Sequence, residues 1–242
     1  PAGRRGSAEG EDAMAGTALI VGVGDGISAS FARALAQDGF KVGLAARRPE
    51  KLEALRAEIG GLTFGCDVTK PDQVERLFAE ADDKLGALDV VHYNPSYRVQ
   101  GPLIDLDRDE VRTTLMVGAY GGFLVAQAAA RRMLRQGGGA ILFTGASASV
   151  KGYACSAPFA MAKFALRGLA QSLARELAPK NVHVAHFVID GGVRSARRPQ
   201  PADKPDSLLD PDAIAQSYLA VLKQPRSAWS WEVELRPWVE PF

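Results

Sequence analysis

Residues 17–28 read Thr-Ala-Leu-Ile-Val-Gly-Val-Gly-Asp-Gly-Ile-Ser. Thr17 to Val21 is a short apolar run that stops at glycine, as a buried strand feeding a turn does. Gly22, Gly24 and Gly26 follow, and then Ile27, Phe31, Ala34 and Leu35 recur at helical spacing as far as Gly39, a natural helix C-cap. Glycines between a strand and a helix have two explanations. A tight turn wants them for its backbone angles. A pyrophosphate wants them so that it can approach the amides at the helix N-terminus, where the dipole favours an anion. The spacing alone is weak, and its surroundings decide.

Outward from that turn the chain keeps alternating. Lys41 to Ala46 reads as a strand, and Glu50 to Ile59 as a helix with Leu52, Leu55 and Ile59 on one stripe. A strand is expected at Leu62 to Cys66 and a helix at Asp72 to Leu85, with Val74, Leu77, Phe78 and Ala81 facing inward. Leu88 to His92 is the fourth strand, about Asp109 to Arg135 a long helix, and Ala140 to Thr144 the fifth strand. Ser156 to Ala178 is helical, Val182 to Val188 a strand, and Pro211 to Leu222 a helix N-capped by Asp210. Trp231 to Leu235 is the last strand. Strands alternating with helices of this length imply parallel βαβ units with right-handed crossovers. The fold expected is one α/β domain, a Rossmann-type doubly wound parallel sheet of seven strands. In that setting the glycine turn reads as a dinucleotide site.

Composition narrows the function classes. A chain of 242 residues with 47% apolar content buries one sizeable core. The formal charge of +1 provides no long-range field for nucleic acid or an anionic membrane. No apolar run approaches the length of a bilayer-spanning helix, and no signal segment is visible. Cys66 and Cys155 form neither a disulfide framework nor a metal pattern; they read as small buried hydrophobes in a reduced, cytoplasmic setting. Residues 1–13, rich in Gly, Arg and Glu without apolar periodicity, are expected to be a disordered leader, leaving a domain over 14–242. Arg194 to Pro211 is a second low-complexity stretch, dense in Arg, Pro and Asp.

The details of the turn resemble the short-chain dehydrogenase/reductase family. Its Thr-Gly-x-x-x-Gly-Ile-Gly pattern is met here with Val21 for Thr and Ser28 for the last Gly. Asp67-Val68 resembles the family's Asp-Val pair, whose Asp meets the adenine amino group, and Asn94 falls on the family's Asn-Asn-Ala-Gly segment. Asp190-Gly191-Gly192-Val193-Arg194-Ser195 stands where the family has Pro-Gly-x-Ile-x-Thr. There the resemblance implies that Val193 grips the nicotinamide carboxamide through its backbone and that Ser195 stands for the Thr. The resemblance spans Thr17 to Pro237 and implies a nicotinamide cofactor held by Gly22, Gly24, Gly26, Ile27, Asp67, Val68, Asn94, Lys163, Val193 and Ser195.

Arg47 and Arg48 bear on which cofactor. In a dinucleotide fold an acid after the second strand binds the ribose diol, whereas arginine pairs with a 2′-phosphate. The run Ala45-Ala46-Arg47-Arg48 contains no acid, which favours NADP(H) over NAD(H). The rival reading is a solvated arginine pair opening a helix, and Asp25 in the phosphate turn is an unhelpful charge.

The catalytic positions depart from the family, whose chemistry uses an Asn, a Ser, a Tyr and a Lys. Pro158-Phe159-Ala160-Met161-Ala162-Lys163 matches the Tyr-x-x-x-Lys helix with Phe159 for Tyr and Lys163 for Lys. A phenyl ring has no proton to exchange. Ala146 falls at the Ser position with Ser147 beside it, and Gly118 at the Asn position. Ser147 and Tyr153 are therefore the candidates to work with Lys163. Tyr97 and Tyr120 are weaker candidates, and His186 reads as a satisfied core histidine. Arg194, Arg197 and Arg198 fall where the family keeps its substrate lid, near 194–211. They either hold a carboxylate or phosphate or remain solvated.

Two functions follow. One is an oxidoreductase passing hydride to a carbonyl or polarised alkene of a small-molecule substrate. The other is a dinucleotide-binding protein without catalysis, a sensor or an inactive partner. The resemblance further implies a homotetramer or homodimer, with Ala128, Ala129 and Ala130 offering close approach and Trp238 and Phe242 as apolar groups to cover.

Overall fold

The structure is a computed structural model describing residues 16–240; the expected leader and Phe242 lie outside the described residues. Its seven strands are β1 Thr17–Val21, β2 Lys41–Ala46, β3 Leu62–Gly65, β4 Val90–Tyr93, β5 Gly139–Thr144, β6 Val182–Ile189 and β7 Glu232–Leu235. They form one sheet in the order β3-β2-β1-β4-β5-β6-β7, and every neighbouring pair is parallel. The order reverses direction at β1, which lies between β2 and β4. A crevice opens at such a point beyond the carboxyl ends of the strands.

The helices are α1 Ile27–Gln37, α2 Glu53–Ile59, α3 Pro71–Leu85, α4 Arg108–Leu115, α5 Gly121–Gln136, α6 Ala157–Leu177 and α7 Pro211–Leu222. They divide between the two faces of the sheet. On one face, α3, α5 and α6 bury Leu77, Phe78, Val125, Met133 and Leu166 against Leu19, Val91, Ile141 and Val184. On the other, α1 and α7 bury Phe31, Leu35, Ile214 and Tyr218 against Ile20, Leu44, Leu142 and Phe187. A strand covered on both faces has no polar side to show, so β6 is buried at all eight positions.

Several boundaries differ from the sequence reading. The helix expected from Glu50 begins with a tight 3₁₀ turn, Pro49–Leu52, and becomes α-helical at Glu53; proline suits that first turn. The third strand stops at Gly65, and the fourth runs Val90–Tyr93, starting two residues later and ending one later than expected. Asp89 precedes it because its carboxylate accepts the Thr17 amide at 2.8 Å. Ser156 caps α6 and is not its first helical residue, and the last strand begins at Glu232.

The long helix expected over 109–135 is continuous but contains one wider π turn, Met116–Tyr120. Tyr93 Oη donates to the Val117 carbonyl in that turn, which satisfies an acceptor the local register leaves over. By length and composition this helix, 108–136, is the one among the described residues apolar enough to cross a bilayer, an exception to the sequence reading. Half of its most apolar window is buried, with Val125, Ala126, Ala128, Ala129 and Met133 in the core against the sheet. Ala128 and Ala129 are each only 1% exposed, so they form intramolecular core and not the contact surface for another subunit. Cys66 is buried as expected, but Cys155 is exposed.

Candidate functional site

A cleft of about 1030 Å³ opens at the carboxyl ends of β1, β2, β4, β5 and β6. The glycine turn with Ile27, Arg47 and Arg48, Asp67 and Val68, Asn94, Ser147, Tyr153, Lys163, Val193 and Ser195 all border it. Residues scattered over more than 170 positions meet there because each follows a strand of one parallel sheet.

The floor of the cleft is the turn after β1. Gly22 has φ +83°, and a Cβ there would lie 2.5 Å from Pro95, so the position excludes any side chain. Asn94 Nδ2 donates to the Gly22 carbonyl at 3.1 Å, and the Asn94 amide donates to Val21 O at 2.9 Å. Asn94 therefore buttresses the turn. Ser28 accepts the Gly24 amide on Oγ at 2.9 Å. At Gly24 and Gly26 a Cβ would meet nothing within 4 Å; both face open cleft at the N-terminus of α1. Side chains there would fill the space that a pyrophosphate takes, so this part of the chain fits a dinucleotide. Asp25 is exposed and does not line the cleft.

At the β2 end, Arg47 and Arg48 border the cleft, and neither forms an ion pair among the described residues. Asp67 Oδ1 accepts from the Thr69 amide at 3.0 Å and hydroxyl at 2.8 Å, which fixes the loop after β3.

At the other end, α6 presents Phe159 and Lys163 to the cleft. Lys163 is 2% exposed, and its Nζ donates to the Thr144 carbonyl at the end of β5, 2.8 Å away. Burial pushes its pKa down to about 8, because a charged ammonium is disfavoured where water is excluded. Ser147 opens a 3₁₀ turn, Ser147–Ser149, and borders the cleft. Ser149 is turned inward and accepts the Ala146 amide on Oγ. Tyr153 lies on the rim, 47% exposed.

The weaker candidates separate. Tyr97 borders the cleft, but its hydroxyl is held by Glu110 at 2.5 Å. Tyr120 is stacked on Phe123 at 6.2 Å, away from the cleft. His186 is fully buried, as expected, but it is only half satisfied, contrary to the sequence reading. Only Nδ1 has a partner, Glu232 Oε2 at 3.1 Å, while Nε2 has none among the described residues. Burial holds its pKa at about 4 despite Glu232.

The segment 194–211 leaves β6 and returns to α7 with its base closed. Arg194 N donates to Leu209 O, Leu209 N to Gly192 O, and Arg194 pairs with Asp210 at 2.7 Å. Those bonds use the peptides on either side of Val193, so its own amide and carbonyl point the opposite way, as in any parallel bridge.

Two groups at the site escaped the sequence reading. Arg98 stacks over the Phe159 ring, Cζ 5.2 Å from its centroid, and Asp190 is buried between Lys151 at 3.1 Å and Arg236 at 2.7 Å. Arg98 lies in an irregular loop, 61 residues before Phe159, so no periodicity links them. The partners of Asp190 stand 39 and 46 residues away in the chain, so their approach is tertiary.

A sequence profile of the family described as short chain dehydrogenase matches residues 16–202. Carbonyl reductase family member 4 of Xenopus tropicalis is 29% identical over 222 residues, covering 88% of this chain and 93% of its own. An uncharacterized oxidoreductase of Staphylococcus aureus is 28% identical over 226 residues, covering 91% and 96%. Among solved structures, a short-chain dehydrogenase from Rhodopseudomonas palustris superposes with TM-score 0.80 at 38% identity, covering 93% of this chain and 99% of that one. An alcohol dehydrogenase from Thermococcus sibiricus, complexed with 5-hydroxy-NADP, superposes with TM-score 0.82 at 26% identity, covering 94% and 98%. With the parallel sheet, the glycine turn at its switch point and a profile match over most of the length, this chain belongs to the short-chain dehydrogenase family of oxidoreductases.

Proposed function

We propose that the chain is an NADP(H)-dependent oxidoreductase that acts on a carbonyl or polarised alkene and draws its proton from a group other than residue 159. The observation that carries this reading is the pair Arg47 and Arg48, lining the cleft without a carboxylate partner among the described residues. The T. sibiricus relative, solved with an NADP derivative, supports the same choice. On this reading the glycine turn takes the pyrophosphate and Asp67 the adenine. Val193 offers its free backbone groups to the carboxamide, and Ser195 stands beside them.

The bound nicotinamide supplies the hydride. Lys163 holds the ribose and, with its pKa near 8, can exchange a proton close to neutral pH. Ser147 polarises the substrate oxygen, and Tyr153 or water provides the proton. Isothermal titration should show NADPH binding more tightly than NADH. Arg47→Ala should cost about 1.5–3 kcal/mol of NADPH affinity, the range for a hydrogen bond to a charged group, and leave NADH unchanged. Equal affinities in the unaltered protein would sink the assignment.

A second reading is a dinucleotide-binding protein without hydride transfer. What favours it is the packing at Gly118, where a Cβ would lie 2.6 Å from Ala162 Cβ. No asparagine fits there, so the family's relay is closed off as well as its phenol. Consistent turnover of NADPH with any carbonyl or enoyl substrate excludes this reading.

As members of this family assemble, the chain forms a symmetric homo-oligomer on our reading. Phe123 on α5 and Met161 and Phe164 on α6 are exposed apolar side chains, 41%, 52% and 45% accessible. A monomer mass by light scattering at micromolar concentration would contradict it.

A further inference from the structure

The residues facing Phe159 carry more positive charge than the fold uses. Arg98 lies over the Phe159 ring at 5.2 Å, and Lys163 Nζ is 5.8 Å from the same centroid. Arg197 and Arg198 border the same cleft. Among the described residues Arg98, Arg197 and Arg198 form no ion pair, although ion pairs are common elsewhere on the molecule. The acids nearby are engaged: Asp190 by Lys151 and Arg236, Asp210 by Arg194, and Glu110 by the Tyr97 hydroxyl. Glu240 is the remaining carboxylate on this part of the lining. A concave wall with uncompensated cations focuses positive potential and selects anions.

The location separates this charge from the cofactor phosphates. Arg47 and Arg48 follow β2, on one side of β1, whereas α6 with Phe159 follows β5, on the other. Arg98 therefore lies at the reacting end. The phenyl ring beneath it attracts the guanidinium and orients its fork, and a planar fork matches the oxygens of a carboxylate or phosphate.

We propose that the Phe159 end of the cleft binds an anionic oxyacid group, held by Arg98 with help from Arg197 and Arg198 on the lining of the same cleft. Resting on the oxidoreductase reading above, the substrate is then an oxo compound with a carboxylate or phosphate within a few atoms of the reacting carbon. The oxo acid would take up a hydride from bound NADPH at its carbonyl carbon and a proton from Tyr153 or water at its oxygen, giving the hydroxy acid and NADP⁺. Arg98, always charged, donates no proton; it binds the anion and offsets the negative charge developing on the oxygen.

The test uses the full chain saturated with NADP⁺, which cannot reduce the probes. Acetoacetate and methyl acetoacetate, then dihydroxyacetone phosphate and dihydroxyacetone, are titrated calorimetrically. The charged member of at least one pair should bind tenfold or more tightly than its neutral partner, on the order expected for a charge-assisted bond, and the pair that discriminates identifies carboxylate or phosphate. Arg98→Gln should abolish the discrimination without changing NADPH affinity, and Arg98→Lys should keep part of it. Equal binding of charged and neutral probes, no binding of either charged probe, or a loss of NADPH affinity in Arg98→Gln overturns the proposal. A separate assay with NADPH in place of NADP⁺ distinguishes the two readings: charge-selective binding without NADPH oxidation on these probes or on carbonyl and enoyl panels would leave the anion site standing and remove the oxidoreductase reading.

Discussion

Phe159 is the residue on which the chemistry turns. It lies one helical turn from Lys163 on the cleft face of α6, where a tyrosine would place its hydroxyl. If a single oxygen were all that separated this protein from an ordinary carbonyl reductase, Phe159→Tyr would raise turnover on simple aldehydes and ketones. The gain would approach the ~10²–10⁴-fold of a positioned acid. We expect no such gain, because on the proposed alignment the partners are missing too: Ala146, aligned with the family's Ser, has no hydroxyl and Gly118, aligned with its Asn, no side chain. Groups that act as a unit do not recover one at a time. Tyr153→Phe should instead lower native activity. An NADPH-oxidation assay over carbonyl and enoyl panels reads both variants, and a gain of two orders of magnitude for Phe159→Tyr would refute this account.

At the level of the element, the contact between the π turn and α6 sets what the site can contain. Gly118 brings the two helices so close that a methyl group would overlap Ala162 Cβ, at 2.6 Å. Gly168, later on α6, is exposed, and a Cβ there meets nothing within 4 Å. The same substitution should thus have opposite signs at the two places. Gly168→Ala should gain up to about 1 kcal/mol from helix propensity. Gly118→Ala should lose about 1–2 kcal/mol, since overpacking outweighs that gain. Urea unfolding of both variants measures this, and a stabilised Gly118→Ala would show that the helices separate easily, reopening the site to an asparagine.

For the whole molecule, the buried histidines tie stability to pH. Burial lowers His92 to about 3 and His186 to about 4, and lowers His183 as well. Each folded pKa lies below the unfolded value near 6.5, so the unfolded chain binds more protons once pH falls under 6.5. Stability is therefore complete above pH 6.5 and declines as pH drops toward the folded values. Between pH 7 and pH 5 His92 and His186 should each contribute a loss of about 2 kcal/mol, with His183 adding in the same direction. His186→Asn should lessen the decline by about that amount, read from urea midpoints at the two pH values. A flat profile in the unaltered protein would mean that these rings take up protons in the folded state as readily as in the unfolded one.

Read alone, the chain carried its architecture, because alternation of apolar runs at periods of two and 3.6 is a local property that survives without coordinates. The strand ladder, the glycine turn and the positions after each strand were legible for that reason. Strand ends slipped by one or two residues, as at β4, where Asp89 is claimed by the Thr17 amide. The pairing of Phe159 with Lys163 on one face of a helix was legible too, since their spacing lies within α6. Other features needed the folded molecule. Arg98 reaches Phe159 from a loop, Asp190 gathers Lys151 and Arg236, and Gly118 is closed by Ala162. Each depends on where two distant segments cross, and that is set by the packing of α6 and the loops onto the sheet, which no periodicity records.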